Sequence, residues 1–247
     1  MALDTPKRDF KIVGTRVPRP DGIDKVTGKA AYGADITATG MLHGRILRSP
    51  HAHARIISID TSAAEAAEGV KAIVTSADFA NPDDAGMRDI RDNCLALDKV
   101  LYDGHAVVAV AATSKSAAKA AIRLIKIEYE ILPHVTDVDA AMKSDAPIVQ
   151  SGRALENVPA GMSQNVTTYV EFGHGDLDAG FAKADKIIER SFKTAATHQG
   201  YIEPHACMAN LGSDGRGELW CCTQGQYMVR ANCAAILGID ASQLRVT

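Results

Sequence analysis

The chain lacks any apolar run of the roughly eighteen residues that a membrane-spanning helix needs. Its N-terminus, Met1-Ala2-Leu3-Asp4-Thr5-Pro6-Lys7-Arg8-Asp9, is polar and has no apolar stretch of signal-peptide type. These absences predict a cytoplasmic protein with no membrane partner. Basic surplus is missing too: 27 Lys and Arg stand against 30 Asp and Glu, a net charge of -3. Such a balance cannot neutralise a phosphate backbone, and aromatics at 5% offer little for base stacking, so nucleic acid is not expected as a partner. None of the five cysteines forms a C-x-x-C pair. An odd count in a reducing compartment predicts free, mostly buried, structural thiols. There is no G-x-S-x-G, P-loop, H-E-x-x-H or G-x-G-x-x-G. With 46% hydrophobic and 23% charged residues in 247, disorder and low complexity are also excluded.

What is present reads as an α+β chain. Residues 1–24 form an extended arm, since Val17-Pro18-Arg19-Pro20-Asp21-Gly22 carries two prolines and a turn signal. Strands are predicted at 42–48, at 55–60, at 70–75 and at 107–112; the last is an unbroken apolar run that suits burial on both faces. A short helix at 63–68 has Glu65 at capping-box spacing from Ser62 and stops at Gly69. Ser76-Ala77-Asp78 reads as a turn of helix, and the polar stretch 80–98 as a long loop. Ser114 caps a helix over 115–125, and 126–131 alternates as a returning strand. This order predicts an α/β layer over 25–146.

Residues 147–165 are rich in Ser, Gly, Pro and Asn and read as a linker. In a second unit, 166–247, strands are predicted at 166–172, 185–194 and 217–223, with one more beginning at 242. Helices are predicted at 177–184 and at 226–237, the latter stopped by Gly238. A unit of this kind should bury its apolar faces against its own continuation or a partner.

Four places could carry chemistry. His51 and His53, two apart on an extended segment, share a face, but no carboxylate or cysteine cluster completes a metal pair there. Packing at a surface or interface is the plainer reading. Gly173-His174-Gly175-Asp176 reads as a tight turn more than a phosphate loop. The stretch from His198 to His205 holds two imidazoles, an amide, a phenol and a carboxylate, and Pro204 biases Glu203 to extended backbone. Thr223-Gln224-Gly225-Gln226 sits at a strand-to-helix junction, where side chains and free helix N–H groups can meet a ligand.

Several of these segments resemble a known family. Arg19-Pro20-Asp21-Gly22, Lys25-Val26-Thr27-Gly28-Lys29-Ala30-Ala31-Tyr32 and Asp35 are similar to the opening of molybdenum hydroxylase large subunits, of the xanthine dehydrogenase and aldehyde oxidase type. So are Gly44-Arg45-Ile46-Leu47-Arg48-Ser49-Pro50-His51-Ala52-His53-Ala54 and Val100-Leu101-Tyr102-Asp103-Gly104-His105-Ala106-Val107-Val108-Ala109-Val110. In that family they belong to an α/β hammerhead domain. Glu203-Pro204-His205 and Thr223-Gln224 resemble the start of its molybdopterin-binding α+β domain. The nearest group in feel is that of 4-hydroxybenzoyl-CoA reductase.

The resemblance implies a molybdopterin cytosine dinucleotide cofactor, with iron–sulfur clusters and FAD on partner subunits. It implies oxidation or reductive dehydroxylation of an aldehyde, N-heteroaromatic or aromatic thioester. Gln224 matches a glutamine that hydrogen-bonds an oxo ligand of molybdenum, with Gly225 beside it. Glu203 matches a recurrent acidic position, and His198 is the other expected supporting residue. No direct metal ligand is implied. The family's Gly-Gly-Gly-Phe-Gly-Gly loop and its later basic glutamate find no counterpart here, so no catalytic residue is expected in this chain. The expectation is a portion of a large subunit, or a piece that a complementing molybdenum subunit completes. The alternative is a non-catalytic hammerhead module that assembles with another subunit.

Overall fold

The computed structural model describes residues 10–153 and 155–247. The first nine residues of the expected arm lie outside the described residues. The arm itself gives way before residue 24, because α1 (Gly22–Thr27) already begins there and ends at Gly28, φ 72°. Asp21 sets that start through ion pairs to Arg19 at 2.5 Å and Lys25 at 2.8 Å.

Strands β1 (His43–Arg48), β2 (Ala54–Asp60) and β3 (Val70–Val74) fall where alternation and β-branching place them. The central strand is β5 (Ala106–Ala112), which follows β4 (Lys99–Val100) and pairs antiparallel with both β1 and β3. A second sheet joins β4, β2 and β6 (Lys126–Ile131), also antiparallel. One core serves both sheets. Val107, Val108 and Val110 of β5 are buried together with Ala54, Val100, Ala121 and Ile125.

Helix α4 (Lys115–Ala121) covers this core with Ala118 and Ala121. Its start is fixed by Ser114, whose hydroxyl accepts the Ala117 N–H at 3.1 Å. It is shorter than expected, yet the turns that follow still deliver Ile122 and Ile125 to the core. Helix α2 (Ser62–Glu65) is shorter too, and the expected box at Ser62 does not form. Ser62 lies inside the helix and donates both its N–H and its hydroxyl to Asp60, at 3.1 and 2.6 Å.

The turn at Gly69 is tight. With φ at +84°, a Cβ there would stand 2.8 Å from Thr113 Oγ1 and 3.2 Å from Ala117 Cβ. Gly69→Ala combines left-handed strain with a clash, and should cost about 1–3 kcal/mol in a urea-unfolding measurement. A loss below about half a kcal/mol would mean the turn has room to relax.

The stretch 80–98 is not a loop. It contains α3 (Ala85–Cys94), whose N-terminus is capped by Asp84 accepting the Met87 N–H at 2.9 Å. The Asn-Pro-Asp-Asp run is thus a helix start, and polarity hid the helix behind it. Its one buried residue, Arg91, is satisfied by Asn81 at 2.7 Å and Asp92 at 2.8 Å. A further short helix, α5 (Val138–Ala141), starts at Asp137.

Residues 147–165 carry no helix or strand among the described residues, but they lie against the preceding layer. Asn165 donates to the carbonyls of Ala141 and Pro147 and accepts the Val149 N–H, and Arg153 meets Asp89 at 3.0 Å.

Beyond it come α6 (Leu177–Ala182), β7 (Cys207–Leu211), β8 (Gly217–Cys221), α7 (Gln226–Leu237) and β9 (Leu244–Val246). Strand β8 is central, antiparallel to β7 and parallel to β9. The expected strands at 166–172 and 185–194 are absent: a single bridge, Glu156 to Thr168, forms there. β-Propensity supplies side chains, but a strand exists only with a ladder partner, and none faces these residues among those described. Phe172 and Phe192 are accordingly 92% and 90% exposed. Conversely β7 is present unpredicted. The signal was Asp214-Gly215, a hairpin turn whose Gly215 has φ 76°. The expectation of mostly buried cysteines also fails: Cys94 and Cys207 are exposed, and Cys221, Cys222 and Cys233 are half-buried.

Candidate functional site

The candidate site lies where β8 ends and α7 begins. Strand β8 turns at Thr223-Gln224-Gly225, the Gly225 N–H donating to Thr223 Oγ1 at 3.1 Å. Gly225 is the N-cap residue of α7, with φ -146° and ψ 71°. No side chain caps that start, so the first-turn N–H groups of a twelve-residue helix are open to an acceptor. Gln224 is exposed at this point. Its neutral amide can donate to an oxo, carbonyl or phosphate oxygen without changing the local charge.

The ladder brings Glu203 toward the same end of the sheet. Cys207 pairs with Cys221, and the Cys222 N–H donates to Ala206 at 3.4 Å, so the chain just after Glu203 reaches the end of β8. Glu203 is exposed. His198 is exposed and takes the Gly200 N–H on Nδ1 at 2.9 Å. It continues into an aromatic row, 5.2 Å from Tyr201, which is 4.9 Å from His205. Gly33, just past Tyr32, also closes on this end: a Cβ there would stand 3.5 Å from the Ala206 carbonyl.

Beside the site, α7 and β9 enclose a cavity of about 430 Å³ lined by Arg216, Tyr227, Arg230, Leu244 and Arg245 among others. The Arg230 guanidinium stacks over Tyr227 at 5.5 Å, and its Nε is buried without a partner among the described residues. Arg245 reaches Glu218 at 3.5 Å. Three guanidinium groups with one neighbouring carboxylate suit an anion. The sequence reading missed this cluster. Tyr227 and Arg230, three apart on a helix, were its available signal.

The other candidates resolve plainly. His53 is buried with Nδ1 donating to the Pro133 carbonyl at 2.7 Å, while His51 stands edge-on to the Tyr129 ring at 5.0 Å. These are packing roles, and no group that could hold a metal ion occurs among the described residues. Asp176 of the Gly-His-Gly-Asp turn caps α6 by accepting the Ala179 N–H at 2.9 Å. No helix among the described residues is long and apolar enough to cross a membrane.

Residues 27–133 match the family described as aldehyde oxidase and xanthine dehydrogenase, a/b hammerhead domain. Residues 159–247 match the molybdopterin cofactor-binding domain. The chain is 32% identical to the nicotine 6-hydroxylase large subunit of Paenarthrobacter nicotinovorans, over 95% of its own length and 29% of that protein. It is 28% identical to the nicotinate dehydrogenase large molybdopterin subunit of Eubacterium barkeri, over 97% of its length and 54% of that protein. Among solved structures, CO dehydrogenase from Oligotropha carboxidovorans superposes with a TM-score of 0.75 at 30% identity, covering 94% of this chain and 30% of that one. The chain thus spans at most about half of the length of these relatives. Two successive domain matches and a shared fold lead to one conclusion: the chain belongs to the molybdenum hydroxylase family, carrying its hammerhead domain and molybdopterin cofactor-binding sequence.

Proposed function

We propose that the chain is part of the molybdopterin-binding subunit of a molybdenum hydroxylase-type oxidoreductase. Residues 25–146 form the hammerhead, 147–165 connect, and 166–247 contribute to the cofactor domain. The observation that carries this reading is Gln224, exposed at the uncapped start of α7. The residues fit the group: amide and helix N–H donors face outward together, and an arginine-lined cavity adjoins them.

Gln224 and Gly225 hold the cofactor from this chain, with Glu203 and His198 in support. When bound, molybdopterin cytosine dinucleotide supplies the oxygen-transfer and two-electron chemistry. This chain's part is positioning: Gln224 donates one hydrogen bond from a neutral amide, and α7 presents its positive end. No general base comes from these residues, so the remainder of the large subunit or a complementing molybdenum subunit provides it. An iron–sulfur subunit and a FAD subunit would be the partners that accept the electrons, in the cytoplasm. The substrate is an aldehyde, an N-heteroaromatic or an aromatic thioester, oxidised or reductively dehydroxylated.

The test is to purify the native complex through this chain and assay molybdenum, pterin and released cytidine monophosphate. The expected result is all three in stoichiometric amounts. A complex that assembles with none of them would leave the hammerhead acting only as an assembly module.

A further inference from the structure

The cysteines gather around the third sheet and do not scatter. Cys207 opens β7, Cys221 closes β8 and Cys222 follows it; Cys233 lies on α7, and Cys94 ends α3, which packs on α7. Burial first, then the neighbouring thiols Cys94, Cys221 and Cys207, push the Cys233 thiol up. Burial, then Cys207 and Cys222, do the same to Cys221. No cluster of three or more His, Cys, Asp or Glu placed to hold a metal ion occurs among the described residues.

Strand register singles out one pair. Cys207 stands directly opposite Cys221 in the antiparallel ladder. At one end of the ladder the Cys222 N–H donates to Ala206, and at the other the Gly212 N–H donates to Arg216 at 2.8 Å. Hydrogen-bonded pairs therefore fall at alternate positions that skip Cys207. On its other side, Cys221 gives its N–H to the Thr247 carbonyl at 3.1 Å, away from β7. Cys207 and Cys221 thus form a non-hydrogen-bonded pair, whose Cα atoms stand about 4.5 Å apart with side chains on one face. Disulfides bridge Cα separations of about 4.4–6.8 Å. Cys207 is exposed and Cys221 half-buried, so an oxidant in solution meets Cys207 first.

We propose that Cys207 and Cys221 are a site of reversible oxidative modification, closed by peroxide-class oxidants into a cross-strand disulfide and reopened by thiol reductants. The Cys207 thiol gives its proton to solvent and its sulfur attacks one peroxide oxygen; the O–O bond breaks, a sulfenic acid forms, and the departing hydroxide takes back a proton to leave as water. The Cys221 sulfur then attacks the Cys207 sulfur; the S–S bond forms, the S–O bond breaks and a second water leaves with the Cys221 proton. Two thiols and one hydrogen peroxide give one disulfide and two waters. Cys207 is exposed, and exposed disulfides are the labile ones, as a switch requires. It would staple β7 to β8 immediately before the Thr223-Gln224-Gly225 turn. The proposal stands whether or not that turn holds a cofactor.

The test treats this 247-residue chain with hydrogen peroxide, alkylates the remaining thiols, digests without reduction and maps linked peptides by fragmentation. Two of the five thiols should disappear into a peptide joined through Cys207 and Cys221, and dithiothreitol should restore them. Cys222→Ser should keep the link, and Cys207→Ser should abolish it. If all thiols still alkylate after peroxide, or the link runs through Cys222, Cys94 or Cys233, the proposal is overturned.

Discussion

His105→Ala should destabilise the hammerhead by about 2–4 kcal/mol, measured by urea unfolding near neutral pH. His105 is fully buried just ahead of β5's apolar run, stacked on Tyr102 with ring centroids 4.5 Å apart. Its Nδ1 accepts the Leu101 N–H at 3.2 Å, so the proton sits on Nε2, which donates to the Asp92 carbonyl at 3.1 Å. Alanine would remove the ring and leave a backbone donor and a backbone acceptor unpaired in the interior. The same geometry makes a pH statement. Burial, the largest influence, holds the imidazole below its ordinary 6.5. The unfolded chain therefore takes up a proton before the folded one does. Stability should be lost as pH falls from about 6.5 through the depressed folded value, and level off below it. His105→Ala should flatten that part of the profile. An unchanged unfolding midpoint, or an unchanged slope between neutral and mildly acid pH, would contradict the assignment.

Gln224→Ala in the assembled complex should reduce turnover about tenfold to a hundredfold. That corresponds to one hydrogen bond to a polar ligand in a low-dielectric site, roughly 1–3 kcal/mol. Assembly and molybdenum content should not change, because Gln224 is exposed and supports no packing of this chain. The rival role, capping α7, finds no support, since no side chain caps that helix. Unchanged turnover with full molybdenum loading would remove Gln224 from the cofactor site.

Much of this fold can be read from local chemistry. Helix α7 is legible because Gly225 and Gly238 bracket a helix-forming run, and Gly238 takes the left-handed C-cap at φ 68°. Strand β5 is legible because the short, β-branched apolar run Ala-Val-Val-Ala-Val-Ala-Ala suits a strand buried on both faces. What local chemistry does not carry is partnership. The 185–194 stretch has the residues of a strand and no ladder, while β7 has weak propensity and is ordered by its hairpin with β8. Helix α3 is concealed because its buried Arg91 reads as polar until Asn81 is seen to satisfy it. The site divides the same way. Gln224 and Gly225 follow from a strand-to-helix junction, but the arginines around the adjoining cavity come from separate elements and no single motif holds them.

The pairing order of the two hammerhead sheets has a consequence for how the chain is made. His43 pairs with Ala112 and Ala54 with Ile131, so each sheet is closed by a late strand. Before β4 emerges from the ribosome, β1, β2 and β3 have no ladder partner at all. At about 5–20 residues per second, they wait several seconds as apolar edges open to any other strand nearby. A nascent chain of this kind is most exposed to misassociation just before residue 112 clears the exit tunnel, when neither sheet has closed. Slowing translation across 60–100 would lengthen that interval, whereas a pause after 131 would give both sheets time to close.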